Sequence, residues 1–134
     1  MEKSQPVLLN IPVSAGELLD RLSILRLKTE RISDPVKLVN VRREHDELDG
    51  VRARELTMTD AAQELYSELR DVNATLWDIE DDIRRCEAKK DFGEEFIRLA
   101  RAVYITNDRR AELKREISVQ LGSLIVDEKS YVGQ

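Results

Sequence analysis

The sequence is poor in residues that cross-link, bend or interrupt a small fold. It contains one cysteine, Cys86, with five glycines and three prolines among 134 residues. A single cysteine excludes an intrachain disulfide and a zinc site built from clustered cysteines, and it suits a reducing compartment. With 37% charged and 41% hydrophobic residues, this composition favours long amphipathic helices over a sheet or a disordered tail. We therefore expect an all-α protein in the cytoplasm.

Two further absences concern partners. The chain has no basic excess, because its net charge is −5 and its acidic and basic residues interleave. Binding to nucleic acid needs a concentrated basic face that neutralises phosphates. No apolar run approaches the roughly 18 residues of a membrane span, and the first residues lack the pattern of a secretion signal. The sequence predicts no nucleic-acid partner and no membrane insertion, and its length predicts one domain over residues 1–134.

Capping signals mark the first two helices. Ser14 and Glu17 have the spacing of a capping box, so a helix is expected from there to about residue 33. Asp34 and Pro35 then combine a cap with a favourable first helical position. The second helix is expected to fray between residues 50 and 56, and a tight helical hairpin joins it to the first.

The third helix carries the most regular pattern in the chain. Thr59 or Asp60 caps it, and its apolar positions alternate in steps of three and four. They are Ala62, Leu65, Leu69, Val72, Leu76, Ile79, Ile83 and Cys86. Such a helix reaches roughly 40 Å at 1.5 Å per residue and needs a long mate. The fourth helix follows a turn at 91–93 and stops near Gly122, and it is predicted to pack along the third. Apolar positions of the third helix that stay exposed predict a homodimer.

Short apolar segments flank the helices. Val7–Val13 is rich in branched residues, and Pro12 restricts it to an edge strand or an extended arm that packs on the helices. Ser123–Val126 suits an extended segment that pairs with this arm. The expected architecture is a mainly antiparallel four-helix bundle with a long hairpin of helices three and four and short extended ends.

A polar block, Asn107–Arg110, interrupts the apolar stripe of the fourth helix. Asn107 and Arg110 have the spacing to share a face. One interpretation is a pocket for an anion or carboxylate, because arginine grips phosphate or carboxylate with two parallel hydrogen bonds. The other is structural: Asn107 sets the helix register while Arg110 forms a salt bridge with an acid on the third helix. The sequence leaves both open.

Three further residues are candidates for such a pocket. Arg21 and Lys28 project from the first helix and can contribute if they converge with Arg110. His45 occupies a position of the second helix where a hydrophobic residue would be expected. It is interpreted either as a general base or as a core histidine whose hydrogen bonds are satisfied. No catalytic residue, metal site or cofactor is predicted. A row of acids on the third helix is interpreted as a solvated or salt-bridged face: Glu64, Glu68, Asp71, Asp78 and Asp82.

Three stretches resemble a bacterial family of small proteins of unknown function. They are Val13–Arg21, Leu76–Arg84 and Tyr104–Ala111. The resemblance implies a bacterial cytoplasmic setting near surface-polysaccharide and glycosyltransferase systems, and it implies no catalytic motif.

Because no set of residues forms a signature for a reaction, the predicted function is a non-catalytic interaction or adaptor module. The resemblance implies that its protein partner acts in polysaccharide assembly. The alternative is a small enzyme or ligand-binding protein whose pocket of asparagine and arginine takes a phosphate or carboxylate compound.

Overall fold

The computed structural model describes residues 5–133, and this range contains four helices and no strand. The helices are α1 (Ala15–Arg31), α2 (Pro35–Glu55), α3 (Asp60–Ala88) and α4 (Glu94–Gln120). The predicted all-α, four-helix class is confirmed. None of these helices is both long and apolar enough to cross a membrane.

Side-chain caps start three of the helices at the expected places. The Ser14 hydroxyl accepts a hydrogen bond from the Glu17 N–H at 3.0 Å, and the Thr59 hydroxyl accepts one from the Ala62 N–H at 3.1 Å. The Asp34 carboxylate accepts one from the Val36 N–H at 2.9 Å. Each bond satisfies a donor that the first helical turn leaves free. Thr59, rather than Asp60, is therefore the cap of α3.

Helix α1 lies at the centre of the bundle. It packs against the other three helices, whereas α2 packs against α1 alone. The hairpin of α3 and α4 is the most extensive helix pair, as predicted. Apolar side chains of α1, α3 and α4 form the core between them. They are Leu18, Leu19, Leu22, Leu69, Leu113 and Ile117.

One end of the α3–α4 hairpin extends beyond α1. Arg31, the last residue of α1, donates a hydrogen bond to Asp78 at 2.5 Å, and α3 continues from there to Ala88. Residues 79–104, which we call the hairpin end, therefore form a two-helix arm joined by the turn before α4. Cys86 and Leu99 are buried within this arm, while Phe92 and Ile97 are exposed.

The predicted packing of Val7–Val13 on the helices and its pairing with Ser123–Val126 are wrong. Val7–Val13 is extended but does not pack on the helices, since Leu9, for example, is 80% exposed. It forms no strand with Ser123–Val126. The carboxyl-terminal segment instead binds the start of α1. The first backbone N–H groups of a helix have no partner within the helix and can donate to polar side chains of another segment. Ser123 accepts a hydrogen bond from the Ala15 N–H at 3.1 Å, and the Ser14 hydroxyl donates to Asp127 at 2.9 Å.

Candidate polar site between the first and fourth helices

Gly16 allows α1 and α4 to approach unusually closely. Its N–H donates a hydrogen bond to the Ser118 hydroxyl at 2.9 Å. A Cβ atom on Gly16 would lie 2.0 Å from the backbone carbonyl oxygen of Lys114, which no side chain can tolerate. This contact sets the register of the two antiparallel helices and places Asp20, one turn further along α1, beside Arg110.

Asp20 and Arg110 form the centre of the site. The Asp20 side chain is 2% exposed, and Arg110 donates to it from Nε at 3.0 Å and from Nη2 at 2.5 Å. Two parallel bonds of this kind are the strongest arginine–carboxylate geometry. The hydrogen bond to Asp20 raises the pKa of Arg110, and burial opposes this only in part. Arg110 therefore stays charged, and Asp20 neutralises its charge within the protein.

Asn73 connects this pair to α3. Its amide donates to Asp20 Oδ1 at 2.9 Å and to the Ser23 hydroxyl at 2.7 Å. The Ser23 hydroxyl donates in turn to the backbone carbonyl of Asp20 at 2.8 Å. Among residues 5–133, no buried side-chain nitrogen or oxygen lacks a hydrogen-bond partner. Such a fully satisfied network favours one arrangement of three helices.

Glu17 organises the rim of the site. Its carboxylate accepts from Lys114 at 2.5 Å and from Arg21 at 2.9 Å. Burial raises the pKa of Glu17, but the hydrogen bonds from Lys114 and Arg21 outweigh it, so the pKa lies below its usual value of 4.5. Glu17 therefore binds these cations instead of completing the predicted capping box with Ser14.

The structural interpretation of the polar block needs correction. Arg110 does form a salt bridge, but its partner Asp20 lies on α1 and not on α3. The neighbouring Arg109 makes the expected bridge to α3, through Glu68. The structural role assigned to Asn107 belongs to Asn73, which is 5% exposed.

Sequence reasoning missed Asp20 as a site residue. The spacing of a second stripe of α1 could have indicated that Asp20 is buried. Its members follow one another in steps of four, three and four, and all of them are buried in the structure. They are Gly16, Asp20, Ser23 and Leu27.

With this geometry described, comparison with known proteins identifies the family. Residues 9–134 match a family of unknown function, DUF6165. The chain belongs to this family. No curated protein and no solved structure matches the chain. Membership of DUF6165 assigns no chemistry, so any function must be argued from the site itself.

In this DUF6165 chain, the predicted site residues do not form one pocket. Asn107 and Arg110 lie together and border two clefts, of about 630 Å³ beside the carboxyl-terminal segment and about 360 Å³ beside Trp77. Arg21 is bound to Glu17 at the surface. Lys28 lies two turns beyond Asp20 on α1 and borders neither cleft. His45 lines a separate cleft between α1, α2 and α3.

Three of the five acids in the predicted row of α3 form ion pairs with arginine. Glu68 pairs with Arg109, Asp78 with Arg31 and Asp82 with Arg85. Over residues 5–133, no three side chains of histidine, cysteine, aspartate or glutamate are grouped to hold a metal ion. These pairs agree with the interpretation of the acidic row as a salt-bridged face.

Proposed function

We propose that this protein is a non-catalytic interaction module that associates with a second copy of itself through the hairpin end. The observation that carries the proposal is the two-helix arm, which extends beyond α1 and leaves Phe92, Ile97 and Tyr104 exposed. Two cations of the predicted pocket support the same proposal, since Arg110 is neutralised by Asp20 and Arg21 by Glu17. Little uncompensated charge is left there for a substrate.

The arm carries the apolar groups that a dimer needs. Ile97 and Tyr104 lie one heptad apart on α4 and are 55% and 56% exposed. Phe92 lies at the turn, where its ring packs edge-to-face on Phe96 at 5.4 Å between centroids. Two copies related by a two-fold axis bring two such arms together and complete a local four-helix arrangement. The partner is thus a second copy, because it supplies the two helices that each arm lacks.

The cellular setting of the proposal comes from the resemblance noted in the sequence. We place the dimer in a bacterial cytoplasm, where it acts as an adaptor beside enzymes of surface-polysaccharide assembly. The exposed amino-terminal segment is the proposed contact with the partner enzyme, since an extended apolar segment can add to a sheet edge or lie in a groove. Its large exposed side chains are Val7, Leu8, Leu9 and Ile11.

Self-association can be tested with the full chain by size-exclusion chromatography with light scattering. We expect a dimer at micromolar concentration for the unchanged protein. Replacing both Ile97 and Tyr104 with glutamate is expected to weaken the dimer at least tenfold, because charges would enter an apolar contact. Helical content by circular dichroism is expected to persist, since both side chains are exposed.

Val119→Glu is the matched control for this experiment. Val119 is also on α4 and 59% exposed, but it lies at the opposite end of the helix. The control is expected to remain dimeric. A monomeric unchanged protein, or equal dissociation by Val119→Glu, would contradict the proposal.

One observation favours a second candidate, a binding protein for a phosphate or carboxylate compound at Asn107. Its half-buried amide has no hydrogen-bond partner among residues 5–133, and it lies between the two clefts that Arg110 borders. For this candidate, dicarboxylates or sugar phosphates are expected to raise the melting temperature saturably. The rise should disappear in Asn107→Ala, and its absence across such a panel would leave the interaction module as the better account.

A further inference from the structure

A third cleft, separate from the Asp20–Arg110 pair and from the hairpin end, gathers cationic side chains. It lies between α1, α2 and α3 and has a volume of about 230 Å³. We call it the arginine cleft and define it by its titratable lining residues. They are Arg26 of α1, His45, Asp49 and Arg52 of α2, and Tyr66 and Arg70 of α3.

The positive charge of this cleft is only partly compensated. Asp49 is the one acid of its lining and accepts a hydrogen bond from Arg52 at 2.7 Å. Arg26 has a long contact of 3.7 Å with Glu30, and both side chains are mostly exposed. In the described part of the chain, Arg70 has no carboxylate within 4.0 Å. Three guanidinium groups thus share one lining carboxylate in a protein whose net charge is −5.

The charges of the three guanidinium groups all affect one side chain, Tyr66. The Arg70 guanidinium lies over the Tyr66 ring at 5.7 Å from its centroid. Burial raises the pKa of the Tyr66 phenol, while the charges of Arg70, Arg52 and Arg26 each lower it. The three side chains line the same cleft although they come from three helices.

We propose that the arginine cleft binds the phosphoryl group of a small phosphomonoester. Guanidinium groups match phosphate oxygens with paired N–H donors, and a dianion takes the charge that Asp49 leaves uncompensated. The Tyr66 hydroxyl and the His45 ring offer further donors beside them. The volume holds a phosphoryl group and a few attached atoms, since pockets for larger ligands measure about 300–1,000 Å³. A lipid phosphate headgroup presents the same group.

The only histidine of the chain gives a local readout for this site. We expect inorganic phosphate and glycerol 3-phosphate, titrated at constant ionic strength and pH, to shift the His45 ring resonances saturably. Chloride is expected to leave them unchanged. Arg70→Gln is expected to weaken the apparent affinity at least tenfold, because it removes a charged hydrogen-bond donor. Arg70 is exposed and has no ion pair that maintains the fold.

Arg43→Gln is the matched control, since Arg43 is an exposed arginine of α2 outside the cleft. It is expected to bind phosphate as the unchanged protein does. Binding to vesicles containing phosphatidic acid that requires Arg70 would identify a lipid headgroup as the source. Binding of glycerol 3-phosphate without vesicle binding would identify a soluble compound. Absence of any His45 shift, or equal weakening by Arg43→Gln, would overturn the proposal whether or not the protein dimerises.

Discussion

Gly16→Ala is expected to destabilise the protein by about 3 kcal/mol or more, which lowers the melting temperature by roughly 10 °C. The new methyl group would lie 2.0 Å from the carbonyl oxygen of Lys114 and 2.8 Å from the Ser118 hydroxyl. The first of these atoms belongs to the backbone, so α1 and α4 must separate to admit the methyl group. Separation also stretches the hydrogen bond from the Gly16 N–H to Ser118. Thermal and urea unfolding measure the loss.

Gly50→Ala is a control that is expected to raise the free energy of unfolding instead of lowering it. Gly50 lies within α2, and a Cβ atom there would meet only the end of the Arg54 side chain, at 3.3 Å. That side chain can move, so the intrinsic preference of alanine for helix is expected to increase stability by about 0.5–1 kcal/mol. If Gly16→Ala cost less than about 1 kcal/mol, the close approach of α1 and α4 would not be a constraint on the fold.

Arg110→Leu is expected to cost about 3–5 kcal/mol of stability, because it leaves the carboxylate of Asp20 buried without its cation. Asn73 still donates one hydrogen bond to Asp20, and Lys114 is 3.9 Å away, but neither replaces two guanidinium bonds. Arg109→Leu, at the next residue, is the matched control. Arg109 is 41% exposed and its pair with Glu68 lies at the surface, so its loss is expected to cost at most about 1 kcal/mol.

A double-mutant cycle separates the ion pair from the rest of the network. Asp20→Ala combined with Arg110→Leu removes both charges, and the Asn73 amide retains its bond to Ser23. We expect the double variant to be more stable than Arg110→Leu alone, because no unpaired charge stays buried. Costs that simply add would show that Asp20 and Arg110 act independently, contrary to the geometry.

Local signals in the sequence were sufficient for the helices. The residues Ser14, Asp34 and Thr59 cap helices in the structure because a cap needs only a side-chain oxygen and the next few backbone N–H groups. The apolar steps of α3 predicted a long hairpin for the same reason, since they depend on one helix at a time. The contact of the carboxyl-terminal segment with the start of α1 could not be predicted in this way, because the bonded residues lie more than 100 positions apart in the chain.

The candidate sites required knowledge of how the helices are rotated and aligned. Periodicity placed Asn107 and Arg110 on one face of α4, but it could not show that this face meets Asp20 of α1. His45 was singled out as a polar residue on an apolar stripe, and it lines the arginine cleft. Its neighbours Arg26 and Arg70 come from other helices, so spacing along α2 could not place them beside it.

The sequence by itself determined the all-α class, the helix boundaries and the long hairpin, because these follow from interactions between residues close in the chain. Only the tertiary structure decided which charges meet. The direct contact of Gly16 with the α4 backbone fixes the alignment of α1 and α4, so that Arg110 is bound by Asp20. The packing of α2 on α1 likewise creates the arginine cleft. An ion pair depends on positions to within an ångström, and residue spacing along one helix does not contain that information.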